Sequence, residues 1–344
     1  MSSVGVPPAG EAPSRRPLRI AVVGVGGVGA YFGGKLAASG ADVTFIARGK
    51  TLEALRARGL RVDSILGDFT VRSAVVSTAG GEASRLTQRR DAAGPAGEDA
   101  GAPDAAFDIV LMCVKAWQVA DATRDILPLL NPDTVIVPFE NGMEAPETIA
   151  EIAGAEHAAG GLCGILAFIV EPGHIRHISV DPFVMFGELD NRPSERLRRL
   201  LDAFTRAGVK AEIPPDIQRS MWSKFLFIVP TSAVGAITRV PIGVWRSMPE
   251  TRELAECAVR EIIALAAARG VALADDAFER TMERYDALTP DATTSLQRDI
   301  VDGKPSELDA QLGAVVRMAA ESGVDVPVCD VLYRCLLPQE RAVR

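Results

Sequence analysis

The sequence is poor in cysteine, in histidine and in basic charge, and each scarcity excludes a class of protein. Five cysteines and three histidines show neither a C-x-x-C pair nor metal-ligand spacing, which argues against a disulfide framework and against a metal site. Lys and Arg number 37 against 45 Asp and Glu, a formal charge of −8, so the basic face that binds nucleic acid is missing. The longest apolar run, within residues 160–170, is shorter than the roughly 20 residues that a bilayer requires. We therefore expect a soluble, cytoplasmic protein without nucleic-acid or membrane partners.

A length of 344 residues predicts about two domains. Residues 1–17, rich in Gly, Pro, Ala and Ser, are expected to form a flexible tail. Residues 18–214 alternate short apolar runs with helical segments, as parallel α/β sheets do, and include a polar loop insertion at 78–106. Prolines 214 and 215 mark the expected domain boundary, because proline continues neither a strand nor a helix interior. Residues 215–344 have only helical patterns.

Turn residues and apolar periodicity delimit the individual elements. The predicted strands are 19–23, 42–47, 60–65, 69–76, 108–114, 134–138, 161–170, 174–179, 183–188 and 209–213. The predicted helices are one that ends near residue 40, then 118–130, 216–237, 250–269, 275–288, 291–301, 306–322 and 330–337.

The turn after the first predicted strand reads Gly24-Val25-Gly26-Gly27-Val28-Gly29. It contains G-x-G-x-x-G between a strand and a helix, the context in which this pattern binds dinucleotides. The first glycine permits the tight turn, the second lets the backbone approach a pyrophosphate, and the third lets the helix pack on the strand. A glycine-rich turn without a ligand is the alternative. The predicted fold class is therefore α/β, with an N-terminal Rossmann-type dinucleotide-binding domain followed by an all-helical C-terminal domain.

The end of the second predicted strand bears on the choice of cofactor. Enzymes that use NAD usually place Asp or Glu there, on the ribose 2′-hydroxyl. This chain has Ala47-Arg48-Gly49-Lys50 instead. A guanidinium at Arg48 can form a forked pair with a 2′-phosphate, which favours NADP (NADPH). An arginine that merely faces solvent is the alternative.

Several further motifs make the chain resemble the ketopantoate reductases (2-dehydropantoate 2-reductases). They are the opening I-A-V-V-G-V-G-G-V-G-A-Y-F-G, then F-I-A-R-G, V-K-A-W-Q at 114–118, E-N-G at 140–142, W-S-K-F at 222–225 and S-E-L-D at 306–309. The resemblance covers nearly the whole chain from residue 18, except the insertion at 78–106. It implies reduction of ketopantoate to pantoate by NADPH, a step of pantothenate and coenzyme A biosynthesis, and a small 2-oxo acid as the substrate.

The resemblance also implies roles for individual residues. Lys224 matches the family's catalytic lysine, and an ammonium beside a ketone polarises it and supplies the proton. Lys115 and Asn141 match positions near the cofactor, and each follows a predicted strand at the edge where such folds bind ligands. Glu307 matches a position that contacts the cofactor and steadies the catalytic site. Ser295 matches a position that can donate to a substrate carboxylate.

Each of these residues also has a purely structural interpretation. Lys115 can be a surface lysine, and Asn141 precedes a glycine, a common turn dipeptide. Lys224 can extend to solvent from a buried helix. Glu307 opens a predicted helix, where an acid is favoured whatever the function.

The chain departs from the family four and eight residues after Lys224. The family usually has asparagines there, whereas this chain has Ile228 and Ser232, of which only Ser232 keeps a hydroxyl for the substrate. Pro230, between them, removes one helical N–H and is expected to kink the helix. Two alternatives follow, a related NADP-dependent 2- or 3-hydroxy acid dehydrogenase and a non-catalytic NADPH-sensing protein. Alanines along helix 250–269 permit close packing in a core or in a homodimer, and the sequence does not choose.

Overall fold

The computed structural model describes residues 17–76, 107–178 and 181–344. Apart from Pro17, the predicted tail lies outside these residues, and so does the predicted insertion at 78–106.

The strands and helices alternate in the first half of the chain, and the second half is helical. The strands are β1 (Arg19–Val23), β2 (Asp42–Ile46), β3 (Leu60–Ser64), β4 (Phe69–Val71), β5 (Ala74–Val76), β6 (Phe107–Met112), β7 (Leu130–Pro138), β8 (Ala159–Gly164), β9 (Ala167–Glu171), β10 (His174–His177), β11 (Phe183–Glu188) and β12 (Lys210–Glu212). The helices of the first half are α1 (Gly27–Ala38), α2 (Gly49–Arg58), α3 (Val119–Ile126), α4 (Ala145–Ala153) and α5 (Glu195–Arg206). The second half contains α6 (Ile217–Thr238), α7 (Ile242–Trp245), α8 (Pro249–Ala268), α9 (Ala277–Ala287), α10 (Ser295–Val301), a π-helical segment (Asp309–Gly313), α11 (Ala314–Ser322) and α12 (Pro327–Ala342).

A five-stranded parallel sheet in the order β5-β2-β1-β6-β7 forms the centre of the first half. Every residue of β6 is buried because both faces of the sheet are covered, which explains why all of its residues except Asp108 are apolar. The connections β1–α1–β2 and β6–α3–β7 are crossover units, so the carboxyl ends of the parallel strands lie at one edge. This confirms the predicted fold class.

Two smaller mixed sheets flank the central sheet. One has the order β4-β3-β10-β9 and the other β12-β11-β8. Strands β3 and β4 form an antiparallel hairpin through Leu66-Gly67-Asp68, and β10 runs parallel to β3.

Two segments that were each predicted to form a single strand form two strands in different sheets, so these predictions were wrong. Residues 69–76 form β4 and β5, which belong to different sheets, because the chain leaves the hairpin at Arg72 and Ser73 to pair with β2. Residues 161–170 change sheets in the same way at Ile165 and Leu166, from a ladder with β11 to one with β10. A continuous apolar run does not reveal such a change of partner.

Helix α6 is the centre of the second domain and packs against α8, α10 and α12. It has 22 residues and is long and apolar enough to cross a membrane, but 67% of its most apolar window is buried inside the fold, as in a core helix. The predicted kink at Pro230 does not interrupt the helix. Three of the small residues of α8, Ala255, Ala258 and Ala266, lie in the core of this domain.

The sequence interpretation missed four helices and misjudged several ends. The missed helices are α2, α4, α5 and α7. Helix α5 had a clear signal: Ser194 caps it by accepting from the Leu197 N–H, and Leu197, Leu200 and Phe204 form a buried stripe. The predicted helix at 291–301 begins at Ser295, the one at 330–337 extends over Pro327–Ala342, and the one at 306–322 begins with the π-helical segment.

Candidate active site

The carboxyl ends of the parallel strands open into a cleft of about 730 Å³, a volume typical of cofactor and substrate sites. The first domain contributes the glycine turn after β1, the strand end after β2, and the residues that follow β6 and β7. The second domain contributes the start of α10 and the segment up to Glu307. Both domains therefore form the walls of one site.

The geometry of the glycine turn fits a dinucleotide pyrophosphate. Gly24 has φ +90°, and a Cβ there would lie 2.7 Å from the Cys113 carbonyl oxygen. A Cβ at Gly29 would lie 2.0 Å from the Gly24 carbonyl oxygen, so this helix–strand contact requires glycine. Gly26 has open space on its Cβ side and caps the start of α1. The turn therefore offers an open backbone and a helix N-terminus to a phosphate group.

Most of the residues predicted to bind the phosphates of the cofactor line the cleft. The cleft is lined by five of the six residues of the turn, Gly24 to Val28, while Gly29 is buried behind them. Arg48 also lines the cleft, caps α2, and leaves 60% of its side chain exposed. Its guanidinium donates a hydrogen bond to the Asp125 carboxylate on α3. The second strand ends without a carboxylate that could bind a ribose 2′-hydroxyl. A 2′-phosphate at the position predicted for it would compete with Asp125 for the guanidinium of Arg48.

A polar cluster joins the two domains at the centre of the cleft. The Lys115 ammonium lies 3.0 Å from the Asp299 carboxylate. One oxygen of Glu307 accepts from the Ala116 N–H at 3.2 Å, and the other accepts from the Asn141 amide at 3.4 Å. Gly142, with φ +124°, lets the loop after β7 approach the π-helical segment that follows Glu307, where a Cβ would lie 2.8 Å from the Ala310 carbonyl oxygen.

Burial dominates the electrostatics of Glu307. The residue is 7% exposed, and burial raises the pKa of its carboxyl. The charge of Lys115 and the hydrogen bonds from Ala116 and Asn141 oppose that rise. Glu307 therefore acts as the common acceptor for groups that follow β6 and β7.

Lys224 lies in a smaller cavity beside the cleft and not in the cleft lining itself. This cavity of about 10 Å³ is lined by Lys224 and Ile228 of α6 and shares Glu140 and Asn141 with the cleft. Within the part of the chain that the structure describes, the Lys224 ammonium makes no hydrogen bond or ion pair. Lys224 is thus half-buried, in a cavity that shares two lining residues with the cleft.

The two predicted substrate serines lie in different environments. Ser295 lines the cleft at the start of α10. Ser232 is 1% exposed and lines neither the cleft nor the smaller cavity. The structure therefore brings Ser295, but not Ser232, to the other predicted residues.

Sequence reasoning did not single out three side chains of the site. Glu140 follows β7 immediately before Asn141, so its position at the sheet edge was a usable signal. Asp125 is 77 residues from Arg48 along the chain, and no sequence pattern connects them. Arg298 lines the cleft with its guanidinium over the Phe168 ring, and burial lowers its pKa. Among the described residues, no group of three or more His, Cys, Asp or Glu could hold a metal ion.

Comparison with known proteins identifies the family of this chain. The family model for ketopantoate reductase PanE/ApbA matches residues 20–191. The model for the C-terminal part of ketopantoate reductase PanE/ApbA matches residues 216–340. An uncharacterized oxidoreductase of Bacillus subtilis (strain 168), YkpB, is 29% identical over 92% of this chain and 97% of its own length. The structure of 2-dehydropantoate 2-reductase from Geobacter metallireducens GS-15 is 28% identical, covers 93% of this chain and 99% of its own, and has a TM-score of 0.80.

A second structural neighbour shares the fold at lower identity. The ternary structure of D-mandelate dehydrogenase with NADH and anilino(oxo)acetate has a TM-score of 0.81 at 19% identity, over 94% of this chain and 99% of its own. This neighbour shows the fold alone, whereas the family-model matches over both halves of the sequence and the relatives above assign the family and the reaction class. The chain belongs to the ketopantoate reductase PanE/ApbA family and is an oxidoreductase that acts on CH–OH groups.

Proposed function

We propose that this enzyme reduces a 2-oxo acid to the 2-hydroxy acid with NADPH, with ketopantoate as the first candidate substrate. The reaction would then serve pantothenate and coenzyme A biosynthesis, in the cytoplasm. The observation that carries the proposal is the position of Lys224, a cation without a described partner in a cavity that adjoins the dinucleotide cleft. Arg48 at the end of β2 supports NADPH over NADH.

The residues of the chain divide the chemical tasks. Bound NADPH would supply a hydride to the carbonyl carbon. Lys224 donates a proton to the carbonyl oxygen as negative charge develops there. Glu307 holds Asn141 and the backbone of Ala116, and so fixes the two loops that follow β6 and β7 at the cleft, where they would hold the cofactor. Ser295 lines the cleft, and its hydroxyl would donate to the substrate carboxylate.

A different hydroxy acid is the second candidate product. Ile228 lines the cavity of Lys224, where the family usually has an amide, and it can neither donate nor accept a hydrogen bond. A pocket built to hydrogen-bond its substrate discriminates strongly, and loss of one such group changes its preference. The apolar side chain of Ile228 favours an apolar substituent on the substrate. A related 2- or 3-hydroxy acid dehydrogenase is therefore the second candidate function.

Turnover assays separate these functions. The purified enzyme is mixed with NADPH and a panel of 2-oxo acids, and the loss of reduced nicotinamide absorbance is followed. Turnover of ketopantoate with the highest kcat/KM of the panel supports the first function. A clear preference for oxo acids with apolar side chains supports the second. Tight NADPH binding without turnover of any substrate contradicts both.

The substitution Lys224→Ala tests the assigned proton donor. We expect kcat to fall by about 10²-fold or more, the usual contribution of a general acid, with the Kd for NADPH changed less than about twofold. Lys210→Ala is the matched control, because Lys210 is an exposed lysine on β12. Unchanged kcat in the Lys224 variant would remove this lysine from the mechanism.

A further inference from the structure

The carboxyl group of Glu140 is buried without a hydrogen-bond partner. The residue is 8% exposed, and within the described part of the chain neither oxygen accepts a hydrogen bond. The N–H groups of Val114 and of Glu140 itself lie close enough to affect its pKa but do not reach hydrogen-bond geometry. A buried polar group left unpaired destabilises a fold, so its presence calls for a role that the folded structure alone does not supply.

Glu140 lies where the cleft meets the cavity of Lys224. It lines both, and the smaller cavity is also lined by Lys224, Asn141 and Ile228. The cavity volume of about 10 Å³ leaves room for at most one water molecule. Glu140 and Lys224 form no ion pair in the described part of the chain, so a proton that moves between them would cross this cavity through a single water.

Two charged groups, Glu307 and Lys224, act on the Glu140 carboxyl, and Glu140 in turn acts on two buried thiols. Burial raises its pKa well above the usual range, the Glu307 charge adds to the rise, and the Lys224 charge opposes it. Burial also raises the pKa of the Cys113 and Cys163 thiols, and the charge of Glu140 contributes to both shifts, so both thiols stay neutral. Burial and the Glu307 charge therefore favour the protonated form of Glu140, whereas the Lys224 charge favours its carboxylate.

We propose that Glu140 returns a proton to Lys224 after each reduction, an inference that rests on the proposed role of Lys224. When Lys224 has protonated the new alcohol, it is a neutral amine. The O–H bond of the Glu140 carboxyl then breaks and an N–H bond forms on Lys224, which leaves a carboxylate beside an ammonium. The carboxylate regains its proton from water after the product leaves. Glu140 acts through Lys224 and needs no contact with the substrate.

The substitution Glu140→Gln separates the first turnover from those that follow. Glutamine matches the neutral carboxyl in size and charge but has no acidic proton. Lys224 begins the first turnover already protonated, so the single-turnover rate of NADPH oxidation should stay within about twofold of the wild type. Steady-state kcat should fall by about tenfold, because each later turnover waits for a proton from water.

Two variants serve as controls. Glu147→Gln removes an exposed acid on the neighbouring helix α4 and should leave both rates unchanged. Lys224→Ala should depress the single-turnover rate itself, and if it does not, the proposed function fails whatever Glu140 does. If Glu140→Gln leaves steady-state kcat unchanged, or lowers both rates equally, the proton return is wrong.

Chemical rescue provides a measurement that does not depend on the folding of Glu140→Gln. Glu140→Ala leaves space for a small carboxylic acid at the position of the missing group. Added formate should restore its steady-state kcat in a concentration-dependent way and leave the wild type and Glu147→Gln unaffected. Absence of any rescue in a folded Glu140→Ala variant that has lost steady-state activity would overturn the proposal.

Discussion

The proposed preference for NADPH depends on Arg48 and on its ion pair with Asp125. Their ion pair is partly exposed, with 60% and 39% of the two side chains accessible, and such pairs contribute only about 0.2–1 kcal/mol. A guanidinium on a phosphate is worth more, about 1.5–3 kcal/mol. The phosphate should therefore displace Asp125 from Arg48 when NADPH binds.

Arg48→Ala should raise the Kd for NADPH by about tenfold or more and that for NADH by less than about twofold. Asp125→Asn should have the opposite effect and tighten NADPH binding by about two- to fivefold, because it removes a competitor of the phosphate. Titration of both nucleotides by fluorescence or calorimetry measures these changes. An equal loss for NADPH and NADH in Arg48→Ala would reject the contact.

Single residues of the site could be predicted from the sequence where they follow a predicted strand or belong to a known motif. Arg48, Lys115 and Asn141 each follow a strand of the parallel sheet, and all three line the cleft. Ser232 was placed by its spacing from Lys224 on a helix, and the structure buries it away from both cavities. Spacing fixes the face of a helix approximately, but packing of neighbouring helices decides what that face meets.

The glycine turn is an element in which neighbouring positions have different tasks. At Gly29 the space between α1 and β1 admits only a hydrogen atom in place of a side chain. The Cβ side of Gly26, in contrast, is open. Gly29→Ala should therefore destabilise the domain, with lost or aggregated protein as the outcome. Gly26→Ala should keep the Tm of the wild type but raise the Kd for NADPH by about tenfold or more, since a methyl group occupies the approach of the phosphate.

Thermal unfolding and nucleotide titration of the two variants test this division. A Gly26→Ala variant that binds NADPH like the wild type would show that the pyrophosphate does not approach this turn.

Element type was predictable from pattern, but partner choice was not. The parallel strands and the long helices of the second domain follow from apolar runs and from 3.6-residue periodicity. The split of residues 69–76 and of 161–170 depends on which sheet accepts each strand, a long-range contact that a local pattern does not contain. The missed helix α5 is different, since its cap at Ser194 and its buried stripe were both present in the sequence.

At the scale of the whole molecule, charged groups hold the two domains against each other around the cleft. Arg317 of α11 donates to both oxygens of Glu144, in the loop after β7, and to Asp309. These pairs raise its pKa further above the usual value. With the Lys115–Asp299 pair they bring the Glu140–Asn141 loop against Glu307, so the site exists only in the assembled two-domain structure. No pattern within one domain predicts that arrangement.

The same arrangement makes stability depend on pH. Burial raises the pKa of Glu140 and of Glu307 above 4.5, the value of a solvated glutamate. Below that value both carboxyls are protonated in the folded and the unfolded chain, so they carry no penalty. As pH rises above it, the unfolded chain loses these protons first, and the folded enzyme loses stability until the raised pKa values are reached.

Replacing Glu140 with glutamine removes one of the two titrating groups, so Glu140→Gln should gain Tm relative to the wild type as pH rises. We expect the difference in Tm between them to widen by about 1.5 °C or more from pH 5 to pH 8, since at about 2.1 cal/mol/K per residue 1 kcal/mol moves the Tm of a 344-residue protein by about 1.4 °C. Calorimetric scans at both pH values measure it, and Glu147→Gln should show no such trend. A difference that stays constant with pH would mean that the Glu140 carboxyl ionises in the folded enzyme as it does in water, and its capacity to resupply Lys224 with a proton would be lost.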